Sequence, residues 1–326
     1  MNTIEFKRLM TVLGGLSASE CLEAKTILRN RERQVETDVV LREFENAVKT
    51  CPHCQGRDLR SVGSKGGRKR FKCMGCSKTF NAYTCTPLAR LKMAEKHLEH
   101  AELMVEGLSL RKVAERLSID HHTAFLWRHR FLQAARSAQP EKLSGVVEAD
   151  ETFFLESFKG KRKGLPRPAK TRGMPAKKRG LSAEQIPVLV ARDRSTGATL
   201  TAKLQDRSSK QIGACLVPVL DKDVVLCSDG ASAYRTIGKR YGIDVKSVPA
   251  KAAAGNYHIN NVNSYDSRLK GWMFKFRGVA TFYLDNYLGW HRMLDKDGSG
   301  ASGRAIVDAL LSSRTHSVTG SMPMAA

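Results

Sequence analysis

The chain has 326 residues, with 55 Lys or Arg against 32 Asp or Glu, a formal net charge of +23. That length allows about two or three domains, and the charge predicts a polyanionic partner whose binding weakens with salt. No apolar run reaches membrane-spanning length and MNTIEFKRLM lacks a signal-peptide core, so the expectation is a soluble cytoplasmic protein with no membrane partner. Of eight cysteines, four fall in two close pairs, and Cys21, Cys85, Cys215 and Cys227 are scattered, a usage that fits a reducing compartment and not a disulfide framework.

Residues 1–48 read as helical. Phe6, Leu9, Met10, Leu13, Leu16, Leu22, Ile27 and Leu28 recur at helix-like intervals, interrupted by Gly14-Gly15, as in a helical lead-in or a dimerisation element. Within 49–82, Cys51-x2-Cys54 and Cys73-x2-Cys76 flank the segment QGRDLRSVGSKGGRKRFK. Two such pairs can close a tetrahedral thiolate cage around Zn2+, and four thiolates leave no position open for water. A hairpin with glycine turns and a basic surface beside that metal reads as a nucleic-acid-contacting zinc ribbon.

Residues 93–137 read as a helix-turn-helix DNA-binding domain. Leu98, Leu103 and Met104 mark a first helix ending near Gly107. Ser109 caps a second that buries Val113, Ala114 and Leu117. His121–Leu132 forms a third that buries Ala124, Trp127 and Phe131. DNA contacts are expected from Arg111, His122, Thr123, Arg128 and Arg130; Arg128, His129 and Arg130 lie beside the buried stripe, free to face phosphates or bases. Residues 144–295 change character, predicting the order β-β-β-α-β-α-β-α and a mixed sheet with helices on its faces. Between the first two strands the Gly/Pro-rich segment 158–180, with Lys161, Arg162 and Lys163, reads as a basic surface loop for a polyanion. Residues 298–326 read as a disordered tail.

Asp150 and Asp229 each follow strand residues, and acids at the carboxyl ends of neighbouring strands converge on one rim. Their repulsion is relieved by a divalent cation, and oxygen ligands select Mg2+ or Mn2+. A third ligand is expected from the last helix, either Asn263 or Asp266, one turn on. Lys270 falls about 20° from Asn263 around that helix and can hold a phosphate. By spacing alone, Asp229-Gly230 is equally a turn, Asp150 a strand-end acid and Asn263 a surface residue.

The sequence resembles bacterial insertion-sequence transposases of the DDE superfamily, in the subgroup with an N-terminal four-cysteine zinc ribbon and a helix-turn-helix. The resemblance runs through CPHC, FKCMGCSKTFNAYTCTPLARL, LSLRKVAERLSIDHHTAFLWRHRFL, VVEADETFF, VVLCSDGASAY, YHINNVNSYDSRLKGWM and GVATFYLDNYLGW, over roughly residues 50 to 292. It implies a multidomain α+β protein whose last domain is a ribonuclease-H-like α/β catalytic fold on a mixed five-stranded sheet. It further implies Asp150 and Asp229 as the first two catalytic acids, with the third position on Asn263. Many relatives carry Glu there, so this chain has an Asp-Asp-Asn set one charge short. The implied activity is binding of an element's terminal inverted repeats, cleavage at its ends and joining of the 3′ ends to target DNA, by a homodimer or higher oligomer. A DNA-binding regulator with an inactive catalytic fold is the alternative.

Overall fold

The computed structural model describes residues 2–161, 163–166, 182, 184–248 and 256–313. They divide into two compact units: one holds the residues up to Ala124 and those from Ser302, the other runs from Phe125 to Ala301.

The first unit opens with helices α1 (Thr3–Gly14) and α2 (Ala18–Asn46). Each starts at a reciprocal cap. Asn2 Oδ1 accepts from the Glu5 amide at 2.9 Å while the Glu5 carboxylate accepts from the Asn2 amide at 2.8 Å, and Ser17 with Glu20 repeats the arrangement. Gly15 closes α1, so the break falls where the glycine pair predicts it. The apolar spacing does not mark a core here. Helix α1 buries nothing, and Leu22 and Ile27 are 68% and 61% exposed. Among the described side chains of α2, Thr37 and Val40 are the first that are buried.

The ribbon follows as an antiparallel sheet in the order β1 (Leu59–Lys65), β2 (Arg68–Cys73), β3 (Thr79–Phe80). Lys65 pairs with Arg68 across Gly66 and Gly67, whose φ values of 59° and 74° are the left-handed pair a two-residue type I′ turn needs. Phe71 and Phe80 stack at 5.6 Å beneath Cys51 and Cys73, a core too small to stand alone. The Glu45 carboxylate accepts the Lys69 amide at 2.8 Å and ties α2 to β2.

Helices α3 (His97–Val105) and α4 (Leu110–Leu117) come next, separated by Gly107 at φ 71°, with Ser109 as the cap of α4. Val113, Ala114 and Leu117 are buried as expected. Helix α5 (His121–Ser137) starts in this unit and belongs to the second from Phe125 onward.

The second unit contains β4 (Val146–Leu155), β5 (Gln185–Asp193), β6 (Thr199–Lys203), α6 (Ser209–Leu216), β7 (Val225–Ser228), α7 (Ser232–Tyr241), β8 (Asp244–Ser247), α8 (Asn260–Phe274) and α9 (Leu284–Asp297). The expected element order is observed, with α9 added after it. The sheet runs β6-β5-β4-β7-β8. β4 is antiparallel to β5 and parallel to β7, and β8 continues the parallel side. Side-chain alternation gives β4 two different faces. Val147 and Ala149 enter a core with Leu189, Leu226, Ile212, Leu216, Tyr234 and Ile237, which docks α6 and α7. Glu148 and Asp150 point to the opposite face, where α8 lies against β4 and β5.

The C-terminal part of α5 is structural in this unit. At Gly289 of α9, an added Cβ would sit 2.5 Å from the Ala135 carbonyl oxygen, so only glycine permits the helices to approach this closely. Arg292 is buried and donates to the carbonyls of Ala135 at 2.9 Å and Ala138 at 3.2 Å, closing the end of α5. Arg128 is 1% exposed, its guanidinium 5.3 Å from the Trp290 ring. His129 is also buried, stacked on Tyr283 at 3.8 Å and hydrogen-bonded to Asn286 at 3.2 Å. The expectation that Arg128 and His129 are free to meet DNA is therefore corrected: the aromatic surface of α9 takes them up.

The chain then returns to the first unit as α10 (Gly303–Ser312), which packs on α3 and buries Ile306, Val307, Leu310 and Leu311. The expected disordered tail is corrected over this stretch, because AIVDALL carries an apolar stripe at helical spacing behind the Ser302 cap. Residues 314–326 lie outside the described residues.

Candidate metal centres

Two sites of opposite chemistry emerge, one in each unit. In the ribbon, one Sγ from each of Cys51, Cys54, Cys73 and Cys76 lies within 4.8 Å of the others. Sγ separations of 3.7 Å (Cys51–Cys76) and 3.5 Å (Cys54–Cys73) match the edges of a tetrahedron with arms of about 2.3 Å, which are about 3.8 Å. Both pairs sit on turns that close backbone hydrogen bonds, Cys51 N–H to Gly56 O and Cys73 N–H to Lys78 O. Crowded this closely without an ion the four sulfurs share protons: the Cys76 backbone amide and Cys54 draw the Cys73 thiol down while, against the Gly56 amide, the neighbouring sulfurs push Cys54 up. The donor set fits Zn2+ and could hold it.

The second site grows from the parallel pairing of β4 and β7. Ala149 pairs with Ser228, so Asp150 and Asp229 come next in the register, Asp229 one residue past the end of β7; the expectation of two strand-end acids is corrected for Asp150, which lies inside β4 and pairs with Val190 on β5. Asp150 Oδ1 accepts the Glu151 amide at 2.8 Å, and Asp229 Oδ1 accepts the Ala231 amide at 3.0 Å in the turn through Gly230. Burial, then the Asp229 charge, pushes the Asp150 carboxyl up, opposed by the Glu151 amide, Lys270 and Arg207. From α8, Asn263 and Lys270 are exposed, whereas Asp266 is 7% exposed. The Asp266 carboxyl is raised to about 7 by burial and by Asp150, with Lys270 opposing. Carboxylate oxygens whose like charge is only partly opposed by Lys270 and Arg207 are of the type that suits Mg2+ or Mn2+.

Sequence reasoning missed the group that sets α8 in place. Glu148 is fully buried. Its Oε1 accepts from Arg194 Nε at 2.9 Å and Asn261 Nδ2 at 2.8 Å; its Oε2 accepts from the backbone amides of Asn261 at 2.8 Å and Val262 at 3.1 Å. Helix α8 has no side-chain cap of its own, so Glu148 does that work from the neighbouring strand and places a carboxylate at the positive helix end. The signal was present in VVEADETFF: 148 and 150 share a strand face, so the same strand fixes Asp150 and the helix above it. Glu151, on the other face, accepts from the buried Tyr234 hydroxyl at 2.5 Å and has Arg207 at 3.9 Å.

The expected DNA-contacting residues differ in exposure. Arg111 and His122 are exposed, Thr123 and Arg130 half-buried, and Arg128 buried. Lys161 and Lys163 are exposed; Arg162 and 167–181 lie outside the described residues. Lys159 anchors the start of that loop, donating to the carbonyls of Phe276 at 3.2 Å and Gly278 at 2.8 Å just past α8. Among the described residues no helix is long and apolar enough to cross a membrane.

Residues 142–290 match the family described as the ISXO2-like transposase domain. A Halobacterium salinarum protein described as an uncharacterized protein in transposable element ISH50 is 27% identical over 244 residues, covering 73% of this chain and 82% of the relative. A chain of the simian T-cell lymphotropic virus intasome in complex with PP2A regulatory subunit B56 gamma aligns at 9% identity and TM-score 0.27, over 60% of this chain and 61% of that one, less than two thirds of its length. A chain of a pre-cleavage Mos1 transpososome aligns at 12% identity and TM-score 0.21, over 68% and 79%. At those TM-scores neither alignment carries weight for function.

Proposed function

We propose that the protein is a DDE-type DNA transposase that binds the terminal inverted repeats of an insertion sequence, cleaves the element's ends and joins the 3′ ends to target DNA. One observation carries this reading: the segment similar to an ISXO2-like transposase domain contains the β4–β7 register that sets Asp150 beside Asp229. The relative within a transposable element and the net charge of +23 support it.

Asp150 and Asp229 would hold the divalent cations, with the α8 ligand drawn from Asn263 or Asp266. When bound, such ions neutralise charge on the attacking and leaving oxygens of an in-line phosphoryl transfer. The chain's own contribution is positioning. Glu148 fixes α8 against β4, and Lys270 presents a cation beside Asp150 for a DNA phosphate. The Cys51, Cys54, Cys73 and Cys76 cluster would hold a structural Zn2+ that folds the ribbon. The ribbon, Arg111, His122, Thr123 and Arg130 would contact the element ends, and the basic loop with Lys161, Arg162 and Lys163 would grip DNA. Two ends have to be held together, so at least two copies act, and the exposed apolar side chains of α1 and α2 are the candidate contact between them. The site of action is the bacterial cytoplasm.

Asn263, uncharged and exposed, favours a second reading: a DNA-binding regulator that does not cut. A Mg2+-dependent nicking assay on duplexes carrying the repeats that flank the gene separates the two. The transposase reading expects Asp150→Ala and Asp229→Ala to abolish cleavage with end binding retained. Undiminished cleavage by either variant would overturn the assignment.

A further inference from the structure

We propose that the exposed ring of Phe274, backed by Arg277, is a stacking platform for an unpaired DNA base. The proposal rests on the DNA-handling reading above and names a contact within it that is independent of the divalent-cation site.

The end of α8 sorts its aromatic side chains to two sides. The rings of Trp272 and Phe276 turn inward and meet Trp290 of α9 at 5.0 Å and 5.4 Å. Phe274, between them in sequence, closes the helix and is 67% exposed. At about 100° per residue, Asn263, Lys270 and Phe274 lie within about 40° of one another around the helix. All three are exposed, so one solvent-facing stripe carries them. At about 1.5 Å per residue, Phe274 stands about 6 Å beyond Lys270, the rise of about two stacked nucleotides. A strand whose phosphate meets Lys270 therefore has a base within reach of the ring.

Single exposed apolar side chains are ordinary on protein surfaces; the surroundings of this one are not. The Arg277 guanidinium lies 4.6 Å from the ring centroid. The Arg277 amide donates to the Phe274 carbonyl at 3.1 Å, closing the turn that brings the guanidinium back over the ring. Arg277 has φ 51°, a left-handed conformation that a residue with a side chain enters at a cost. Lys159 Nζ holds the same turn, donating to the carbonyls of Phe276 at 3.2 Å, Arg277 at 3.5 Å and Gly278 at 2.8 Å. The ring and its cation are thus set before a ligand arrives, which lowers the ordering cost of binding. Charge selects the ligand: residues 267–283 contain four Lys or Arg and no acid. A flat π face carried on a negative backbone matches both the ring and the charge; an apolar protein surface matches only the ring. Bases inside a closed duplex are covered by their neighbours, so the ring takes an unpaired one.

The test is fluorescence anisotropy with the full, zinc-loaded chain and two fluorescein-labelled probes: a blunt duplex of mixed sequence, and the same duplex with an unpaired thymidine tail. Tryptophan emission checks that each variant is folded. The wild type should prefer the tailed probe. Phe274→Ala and Phe274→Leu should weaken tailed-probe binding about 5- to 150-fold and leave blunt-duplex binding unchanged. Phe274→Tyr keeps the π face and should keep the preference. Tyr241→Ala is the control: that exposed ring also has an arginine near it, Arg240 at 5.5 Å, but sits on α7, across the sheet from α8. It should change binding of neither probe. Tailed-probe binding at wild-type strength in both the Ala and Leu variants of Phe274 would overturn the proposal and leave the DNA-handling reading standing. Equal loss on both probes, or an equal loss with Tyr241→Ala, would overturn it in the same way. Binding of neither probe by the wild-type chain would overturn the DNA-handling reading too.

Discussion

Replacing Glu148 by Gln tests how α8 is held. The substitution keeps the shape and removes the charge. In the wild type, four N–H donors converge on this one side chain from Arg194, Asn261 and Val262. A Gln cannot serve both sides. If its oxygen turns to the Asn261 and Val262 amides, its NH2 faces the Arg194 guanidinium, with the His258 ring, whose Nδ1 lies 3.2 Å from Glu148 Oε1, as a neighbour able to accept; if it turns to Arg194, the NH2 faces two amide donors. Summing charge-assisted hydrogen bonds would overstate the loss, because desolvation of Glu148 offsets part of it. Breaking one side of a buried ion pair costs about 3–5 kcal/mol, and with shape and one acceptor retained the expected loss is about 3 kcal/mol. The three tryptophans, Trp127, Trp272 and Trp290, all lie in the second unit, so urea unfolding followed by their emission reads that unit alone. At a slope of about 2 kcal/mol per molar, the midpoint should fall by about 1.5 M. An unchanged midpoint would refute the claim that Glu148 anchors α8.

Three further outcomes are expected. The folded-state pKa of Asp266, about 7, lies above the unfolded value of about 4, so the metal-free fold holds an extra proton between them and loses stability as pH rises through that window. Asp266→Asn should therefore be the more stable protein above pH 7 without divalent cations, by up to about 4 kcal/mol from three pKa units; equal pH–stability curves would refute this. Zinc removal, or Cys76→Ser, should unfold β1–β3 and weaken binding to element ends while tryptophan emission stays native, because zinc contributes on the order of 10 kcal/mol to such small folds; tight end binding by the stripped protein would refute the ribbon's role. Finally, Lys270→Ala should lower the slope of log K against log salt by about 1, whereas Arg128→Ala should leave the slope unchanged and lower the thermal midpoint of the second unit, since Arg128 packs on Trp290.

The legible parts of the molecule were those coded by local chemistry. The turn at Gly66-Gly67, the cap at Ser109 and the strands of the second unit read directly from sequence, because φ signs, capping oxygens and two-residue alternation are near-neighbour properties. The thiolate cluster read as clearly, since four cysteines at two short spacings have few other uses. What was not legible depended on partners distant in the chain. Arg128 looks like a surface arginine until α9, more than 150 residues on, supplies Trp290. Glu148 is one acid among three until the N-terminus of α8 arrives above it. The apolar spacing of α1 and α2 signalled a helix correctly and left open what meets its apolar face, because periodicity reports a face and not whether anything covers it. The same stripe in α10 is covered, by α3.

Glu148 and Asp150 are separated by one residue of extended chain, so the helix anchor and the rim acid are spaced by the backbone repeat and not by any side chain. Point changes on this strand degrade one function at a time. Inserting or deleting a single residue between Val147 and Glu151 would do something different in kind: it would exchange the two faces, sending an acid into the core of Leu189 and Tyr234 and an apolar residue to the rim. Length variation among homologous chains should therefore be absent from this strand even where its letters drift, since one inserted or deleted residue would cost anchor and acid together.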